Sequence, residues 1–179
     1  MKSFPIIETS RLVLRQFVPA DLENVYKGLS NPAVIKYYGV SYDSLEATKA
    51  QMDWFSDLEK DGKGIWWAIC LKENVTFVGG GGFNEWDQTN QKAEIGFWLY
   101  PEFWGQGIMT EAMPLIVKYG FTGMNLHRIE GFVESNNQNC KRGLAKLNFK
   151  YEGTMKDCEL KDNQWMSVDI YAQINDKNP

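Results

Sequence analysis

The segment from residue 105 to residue 110 contains residue types that bind an anion through the protein backbone. Two glycines are interleaved with polar and apolar residues in this segment, which consists of Gly105, Gln106, Gly107, Ile108, Met109 and Thr110. Glycine places no side chain in the way, so successive backbone N–H groups can converge on an anion at the positive end of a helix. The spacing predicts a diphosphate cradle, or alternatively a tight turn that only needs the glycines.

Two other nucleotide-binding patterns are excluded by the residues themselves. The chain has no G-x-x-x-x-G-K-[ST] segment, which argues against a P-loop. Thr110 stands where the dinucleotide fingerprint requires a third glycine, and too few alternating strands and helices precede it. Nucleotide hydrolysis and hydride transfer are therefore disfavoured.

The hydrophobic periodicity predicts strands and helices that position this segment. Alternating patterns predict seven strands, at residues 12–17, 65–71, 75–83, 93–99, 128–134, 149–160 and 165–174. Helical spacing predicts helices at residues 19–28, 43–60, 108–120 and 137–147, and a helical turn at 34–38. A capping box is predicted at Asp43 and Glu46, and the helix that follows is expected to face the core with Leu45, Met52 and Phe55. A hairpin turn is predicted at Asp162 and Asn163. Gly79 to Gly82, inside a strand pattern, predict a bulge or a close backbone approach.

Length, composition and charge favour one globular domain over residues 1–179. The chain has 19 basic and 23 acidic residues, a net charge of −4, and 44% hydrophobic residues. The negative charge argues against nucleic acid and anionic lipid as partners. No apolar stretch approaches the roughly 20 residues that span a bilayer, and no secretory signal is visible, so we expect a cytoplasmic protein. Three cysteines and one histidine, His127, argue against a metal site.

With these features together, the chain resembles the GNAT superfamily of N-acetyltransferases, in its RimL-like branch of ribosomal-protein and related amine acetyltransferases. The resemblance spans almost the whole chain in ordered motifs, at residues 8–15, 93–99, 104–112, 125–129, 137–142, 149 and 152–153. It implies an α+β, three-layer fold with a mostly antiparallel sheet of about seven strands, flanked by about four helices. The fourth and fifth strands of that count would splay apart.

The resemblance also implies that acetyl-coenzyme A binds between these splayed strands. Its diphosphate would lie on the backbone amides of residues 105–110, and its pantetheine would pair along Phe97, Trp98 and Leu99, whose side chains can equally belong to the core. A strand that stops pairing leaves free N–H and C=O groups, which agrees with this arrangement. Trp104 stands where the broader family usually has Gln or Arg, and Met109 replaces a small residue. We therefore expect the backbone amides, and no specific basic residue, to hold the diphosphate.

Acetyl transfer to an amine requires a neutral nucleophile, so a base or an ordered water should accept a proton. The resemblance implies Glu159, on the penultimate strand, as the base, and Glu94, beside the expected cofactor strand, is the alternative. Either carboxylate can equally be a solvated or ion-paired strand residue. Cys140 stands where the branch usually has a serine that protonates or hydrogen-bonds the leaving sulfur, or it is a small packing residue. Asn137 caps the following helix, binds the cofactor, or does both.

The resemblance, together with these residues, implies an acetyl-CoA-dependent N-acetyltransferase that transfers the acetyl group directly, within a ternary complex. The acceptor would be a protein α-amine, a polyamine or an amino sugar, and a homodimer is possible. The alternative is a non-catalytic acyl-CoA-binding or sensing module of the same fold. Pro114, inside the expected helix 108–120, predicts an unpaired Thr110 carbonyl or a bend.

Overall fold

A computed structural model describes residues 3–161 and 163–176. Within these ranges the chain forms eight strands, which are β1 (Ile7–Glu8), β2 (Leu12–Arg15), β3 (Ile65–Leu71), β4 (Phe77–Asp87), β5 (Lys92–Leu99), β6 (Arg128–Glu134), β7 (Lys150–Lys161) and β8 (Gln164–Ile174). The α-helices are α1 (Leu22–Leu29), α2 (Pro32–Ile35), α3 (Leu45–Lys60), α4 (Ile108–Gly123) and α5 (Gln138–Lys146). Seven of these strands were predicted; β1, with two residues, is too short for its alternation to be visible in the sequence.

All eight strands belong to one sheet with the order β1-β2-β3-β4-β5-β6-β8-β7. Neighbouring strands are antiparallel except β5 and β6, which are parallel. The sheet is therefore mostly antiparallel, and the predicted α+β fold class is confirmed.

Helices cover both faces of this sheet and make the fold three-layered. On one side, which we call the α4 face, α4 and α5 bury Ile116 and Leu144 with Phe83 and Ile129 of the sheet. On the other side, the α3 face, a second cluster joins α1, α2 and α3 to Trp66, Cys70 and Trp98. Each helix thus buries one apolar stripe against the sheet.

The beginning of α3 differs from the predicted capping box. Ser44, not Asp43, is the N-cap residue, and its hydroxyl accepts a hydrogen bond from the Ala47 N–H at 3.2 Å. The Glu46 side chain pairs with Lys49 in the next turn instead of reaching back to the cap. Leu45 is 41% exposed and so lies outside the predicted core face, although Phe55 is buried. The chain starts the helix one residue later because Ser44 has the extended backbone conformation that an N-cap requires.

The glycines of β4 allow the close backbone approach that the sequence predicted. A Cβ atom on Gly79 would lie 2.2 Å from the Trp98 carbonyl oxygen. The β3–β4 register shifts between Ile69 and Cys70, beside this glycine, as expected for a bulge.

Pro114 lies at an exposed position inside α4, which continues through it. The predicted Asp162 turn position lies outside the described residues. No described helix is long and apolar enough to cross a membrane.

Candidate active site

The two central strands β5 and β6 are paired over only three residues and then separate. The register joins Lys92 to Arg128, Ala93 to Ile129, and Glu94 to Glu130. β5 continues to Leu99 and β6 continues to Glu134 without further pairing between them. A wedge-shaped gap therefore opens in the sheet with its apex at Glu94 and Glu130, which confirms the predicted splay.

Two backbone N–H groups of β5 face this gap. The Tyr100 N–H donates to the Val78 carbonyl of β4 at 2.9 Å. Because neighbouring residues of a strand direct their backbone groups to opposite sides, Trp98 also faces β4, while Phe97 and Leu99 face the gap. The Leu99 carbonyl accepts a hydrogen bond from the Trp104 indole N–H at 2.9 Å. An extended amide-bearing chain in the gap would thus find the N–H groups of Phe97 and Leu99.

The Trp98 side chain belongs to the core and does not line the gap. It is 3% exposed and packs in the α3-face cluster with Phe77 and Tyr100. Its ring lies against Gly28 of α1, where a Cβ atom would be 2.1 Å from the ring. Of the three residues assigned to the cofactor strand, Trp98 supplies packing, and its two neighbours direct their N–H groups into the gap.

The glycine-containing loop at the wide end of the gap has the conformation of an anion cradle. Gly105 and Gly107 have φ angles of +74° and +77°, a left-handed conformation that side chains other than hydrogen disfavour. Gly107 is the N-cap of α4, so the first N–H groups of the helix, which begins at Ile108, have no partner within the helix. Thr110 and Gln106 are exposed, and Met109 packs partly against the α4-face core. The loop therefore presents backbone N–H groups at the positive end of a 16-residue helix.

Glu94 lies at the apex of the gap, on the α3 face of the sheet. It alternates with Gly96 and Trp98 along β5 and therefore shares their face. Burial raises the pKa of the half-buried Glu94 carboxyl, and the nearby charges of Glu85 and Glu130 act in the same direction. A hydrogen bond from the Asn84 side chain opposes this effect without cancelling it. A carboxylate whose pKa is raised is a stronger base than an exposed one.

Tyr38, which follows α2, is close to this carboxylate. Burial raises the pKa of the Tyr38 phenol, and the charge of Glu94 raises it further. The phenol therefore stays neutral at physiological pH and remains a hydrogen-bond donor. Sequence reasoning missed Tyr38, since only the folding of the α2 segment over β5 brings it to Glu94.

The N-terminus of α5 carries the other two predicted site residues. The Asn137 side chain caps this helix by accepting a hydrogen bond from the Cys140 N–H at 3.1 Å. Cys140 packs partly against the α4-face core, and burial raises the pKa of its thiol to about 11. The thiol is therefore protonated at neutral pH and can donate a hydrogen bond, but it is a weaker acid than an exposed thiol.

A buried carboxylate on β8 holds this end of α5 in place. Asp169 accepts hydrogen bonds from Ser135 and Thr154, each at 2.7 Å, and forms an ion pair with Lys141 of α5. Burial opposes ionisation of Asp169, but these hydrogen bonds outweigh it and lower its pKa. Lys141 directly follows Cys140, so this network fixes the position of the thiol.

Glu159 lies at a different place, on the exposed hairpin of β7 and β8. Glu159 is exposed and pairs with Met166 of β8. The pairing of β8 with β6 ends at Val168, two residues away from Met166 in the sequence. Strand alternation places the Glu159 side chain on the α3 face, the same face as Glu94. The structure thus puts both candidate bases on one face, with Glu94 at the apex of the gap and Glu159 at the hairpin tip.

The hairpin tip is tied to the helical layer by Lys161. Its ammonium donates to Glu134 Oε1 at 2.8 Å and to the Lys36 carbonyl at 2.5 Å. Glu134 ends β6, and Lys36 directly follows α2, so this contact borders the gap on the α3 face.

The described residues contain no group of three or more His, Cys, Asp and Glu side chains that could hold a metal ion. His127 is half-buried at the entrance to β6.

A family model described as "Acetyltransferase (GNAT) domain" matches residues 11–150. The chain belongs to the GNAT acetyltransferase family. It is an N-acetyltransferase, and the relatives that match it along nearly their whole length are named N-acetyltransferases. The uncharacterized N-acetyltransferase YoaA of Bacillus subtilis is 32% identical over 172 residues, which are 96% of this chain and 97% of the relative.

Solved structures of RimL acetyltransferases have the same fold. RimL, the α-N-acetyltransferase of ribosomal protein L7/L12, in complex with coenzyme A, matches with a TM-score of 0.85 at 26% identity, over 96% of this chain and 99% of that one. An acetyltransferase from Salmonella typhimurium that modifies the N-terminal serine of the same ribosomal protein matches with a TM-score of 0.86 at 27% identity, over 96% and 100%. The RimL-like resemblance seen in the sequence is thereby confirmed.

Proposed function

We propose that this enzyme transfers the acetyl group of acetyl-coenzyme A to a primary amine by direct attack in a ternary complex. The observation that carries the proposal is the wedge-shaped gap, because it joins three parts of one site. Free N–H groups of Phe97 and Leu99 line it, the cradle of residues 105–110 stands at its wide end, and Glu94 lies at its apex. Acetyl transfer needs a site for the diphosphate of the donor, a site for its extended amide chain, and a base that takes a proton from the amine, in that order along the gap.

The backbone groups fit the two polar parts of the donor. The amides at the start of α4 would hold the diphosphate, and the Phe97 and Leu99 N–H groups would pair with the amide chain. An N–H group of β5 aimed into the gap would also stabilise negative charge on the thioester oxygen during attack. When bound, acetyl-coenzyme A supplies the activated acyl carbon.

We propose Glu94 as the base, ahead of Glu159. The amine nitrogen forms a bond to the acyl carbon, the carbon–sulfur bond breaks, and the amine loses a proton that Glu94 accepts, directly or through one water. The raised pKa of the Glu94 carboxyl brings its basicity closer to that of the amine than an exposed carboxylate would. Glu159 is exposed to solvent at the tip of the β7–β8 hairpin, away from the apex of the gap.

Cys140 fits the role of a hydrogen-bond donor to the leaving sulfur. With a pKa of about 11, its thiol is a weaker acid than an ordinary thiol of about 8.5, so full proton transfer to the departing thiolate is uphill. A hydrogen bond from the thiol still stabilises negative charge on the sulfur. Asp169 and Asn137 would keep this donor in place through the start of α5.

Negative charge on the acceptor side favours a cationic amine. Glu94, Glu130, Glu134 and Glu159 share the α3 face of the sheet, and the protein's own cations neutralise only some of them. A protein α-amine, as in the related RimL enzymes, a polyamine and an amino sugar all meet this requirement. A cytoplasmic location and a homodimer stay predictions.

The experiment is a panel of amines incubated with acetyl-coenzyme A. The panel contains peptides with N-terminal Ser or Ala, spermidine, and an amino sugar; thiol release gives the rate, and mass spectrometry identifies the acetylated product. We expect amine-dependent thiol release with at least one class. Saturable binding of acetyl-coenzyme A without amine-dependent release from any class would favour the non-catalytic binding module.

A further inference from the structure

The loop that cradles the diphosphate contains no basic side chain, but the fold brings one to it from the N-terminal segment. Arg11 directly precedes β2, and its Nη1 donates to the Gln106 carbonyl at 3.2 Å. Its Nη2 lies 3.6 Å from the position that a Cβ atom would occupy on Gly107, the N-cap of α4. A guanidinium group therefore stands beside the first N–H groups of α4.

Arg11 is held there by Glu111 in the first turn of α4. Arg11 Nε donates to Glu111 Oε2 at 2.7 Å, and the Arg11 backbone N–H donates to Oε1 at 3.2 Å. The hydroxyls of Thr9 and Ser10 donate to the same Oε1 oxygen. Four groups of one short segment thus converge on one carboxylate, which fixes the Arg11 side chain against the loop.

The guanidinium has unused hydrogen-bonding capacity. Nε and Nη2 each lie 2.7 Å from Glu111 Oε2, and Nη1 donates to the Gln106 carbonyl, so three of the five N–H groups are occupied. Among the described residues, the other two have no protein acceptor. The side chain is 52% exposed, so these groups face solvent at the cradle. Two free donors on a planar cation are well suited to phosphate oxygens.

The Arg11 guanidinium also offsets the negative charge of Glu111 at the start of α4. A carboxylate in the first turn of a helix interacts favourably with the helix dipole, but it repels an anion that binds at the same helix end. Arg11 compensates that charge locally, so the cradle does not present net negative charge to a diphosphate. The ion pair is thus arranged to keep the helix end favourable to anions.

We propose that Arg11 binds the diphosphate of coenzyme A. It supplies the positive charge that the loop itself lacks, since Trp104 occupies the position at which the resemblance would place Gln or Arg. This proposal rests on the proposed function, because it requires coenzyme A in the gap.

The test measures coenzyme A affinity by titration calorimetry for the wild type and four variants. Arg11→Gln removes the charge, and Arg11→Lys keeps it without the planar fork. Glu111→Gln removes the compensating carboxylate, and Lys49→Gln, which also removes one exposed, ion-paired positive charge but lies on α3, is the matched control for Arg11→Gln. Thermal unfolding of each variant shows that the compared proteins are folded.

We expect Arg11→Gln to raise the Kd for coenzyme A about tenfold and Arg11→Lys about threefold. Lys49→Gln should stay within twofold of the wild type, and Glu111→Gln should weaken binding less than Arg11→Gln, because the guanidinium remains while one of its anchors is lost. The salt dependence of affinity should be weaker in Arg11→Gln. Equal weakening by Arg11→Gln and Glu111→Gln would overturn the proposal, because it would mean that Arg11 only anchors the N-terminal segment. Wild-type affinity in Arg11→Gln would overturn it as well.

A failure of the proposed function gives a different result. If the folded wild type shows no saturable binding of coenzyme A, the gap is not a donor site. If the wild type binds and the Arg11 variants bind equally, the gap is the donor site and only the role of Arg11 is wrong.

Discussion

The two ends of the gap use different chemical groups: backbone N–H groups at the wide end and a carboxylate side chain at the apex. At the wide end, the cradle consists of backbone N–H groups shaped by the left-handed Gly105 and Gly107. At the apex, the proposed chemistry depends on the Glu94 side chain and the groups around it. A site made of backbone tolerates unusual side chains, which explains how Trp104 and Met109 can occupy the loop. A site made of one side chain has no such tolerance.

The most damaging change at the apex is Glu94→Gln. It removes the base and keeps the shape, so we expect kcat to fall by about 10²–10³ while the KM for acetyl-coenzyme A stays within about twofold. Steady-state kinetics with a saturating amine measures both. A variant with undiminished kcat would remove Glu94 from the mechanism and return the role to Glu159 or to water.

The corresponding change at the cradle is Gly107→Glu. A side chain at φ +77° strains the loop, and the new carboxylate repels the diphosphate, so the Kd for coenzyme A should rise at least about tenfold. Gly153→Glu on β7 is the control, because a Cβ atom there meets nothing within 4 Å. Unchanged affinity in Gly107→Glu, measured by calorimetry, would contradict the cradle.

Glu159→Gln sharpens the comparison between the two carboxylates. Because Glu159 is exposed at the hairpin tip, we expect kcat to change by no more than about threefold. The pH profile separates the candidates further. Activity of the wild type and of Glu159→Gln should fall as pH drops through a carboxyl pKa that lies above the ordinary glutamate value. A loss in Glu159→Gln as large as in Glu94→Gln would show that the exposed carboxylate is essential.

The smallest predicted effect is on stability. The pKa of Glu94 is raised in the folded state, so the folded chain holds this proton more tightly than the unfolded chain does. The stability from that proton is fully present below the unfolded pKa and is lost as pH rises through the folded pKa. Glu94→Gln should therefore raise Tm at pH 7 by about 1–3 °C, with no gain at pH 4. Calorimetry at both pH values measures this; a lower Tm at pH 7 would contradict the burial cost.

Local patterns in the sequence predicted most of the elements of this fold. The strands with a clear alternation, such as β5, and the helix after the glycine loop were found because periodicity and turn residues are local properties. The N-cap of α3 was misplaced by one residue, since Asp43 and Ser44 are both good caps and backbone conformation decides between them. Strand β1 carries no pattern in the sequence, and among the described strands it pairs with β2 alone.

The candidate site was predictable only where it is local. The glycines of the cradle stand next to each other in the chain, but Arg11 reaches the loop across 95 residues and Tyr38 reaches Glu94 from another layer. The ranking of Glu94 and Glu159 depended on burial, which follows from where β5 and β6 separate. No spacing in the sequence encodes that separation, because it is a property of the assembled sheet.

Hydrogen exchange of individual backbone amides, followed by NMR with and without saturating acetyl-coenzyme A, tests the gap as the donor site most directly. The account predicts that the Phe97 and Leu99 amides exchange faster than that of Trp98 in the free protein, and that acetyl-coenzyme A slows the two fast amides selectively. Exchange at Phe97 and Leu99 that does not change at saturation would contradict donor binding between β5 and β6.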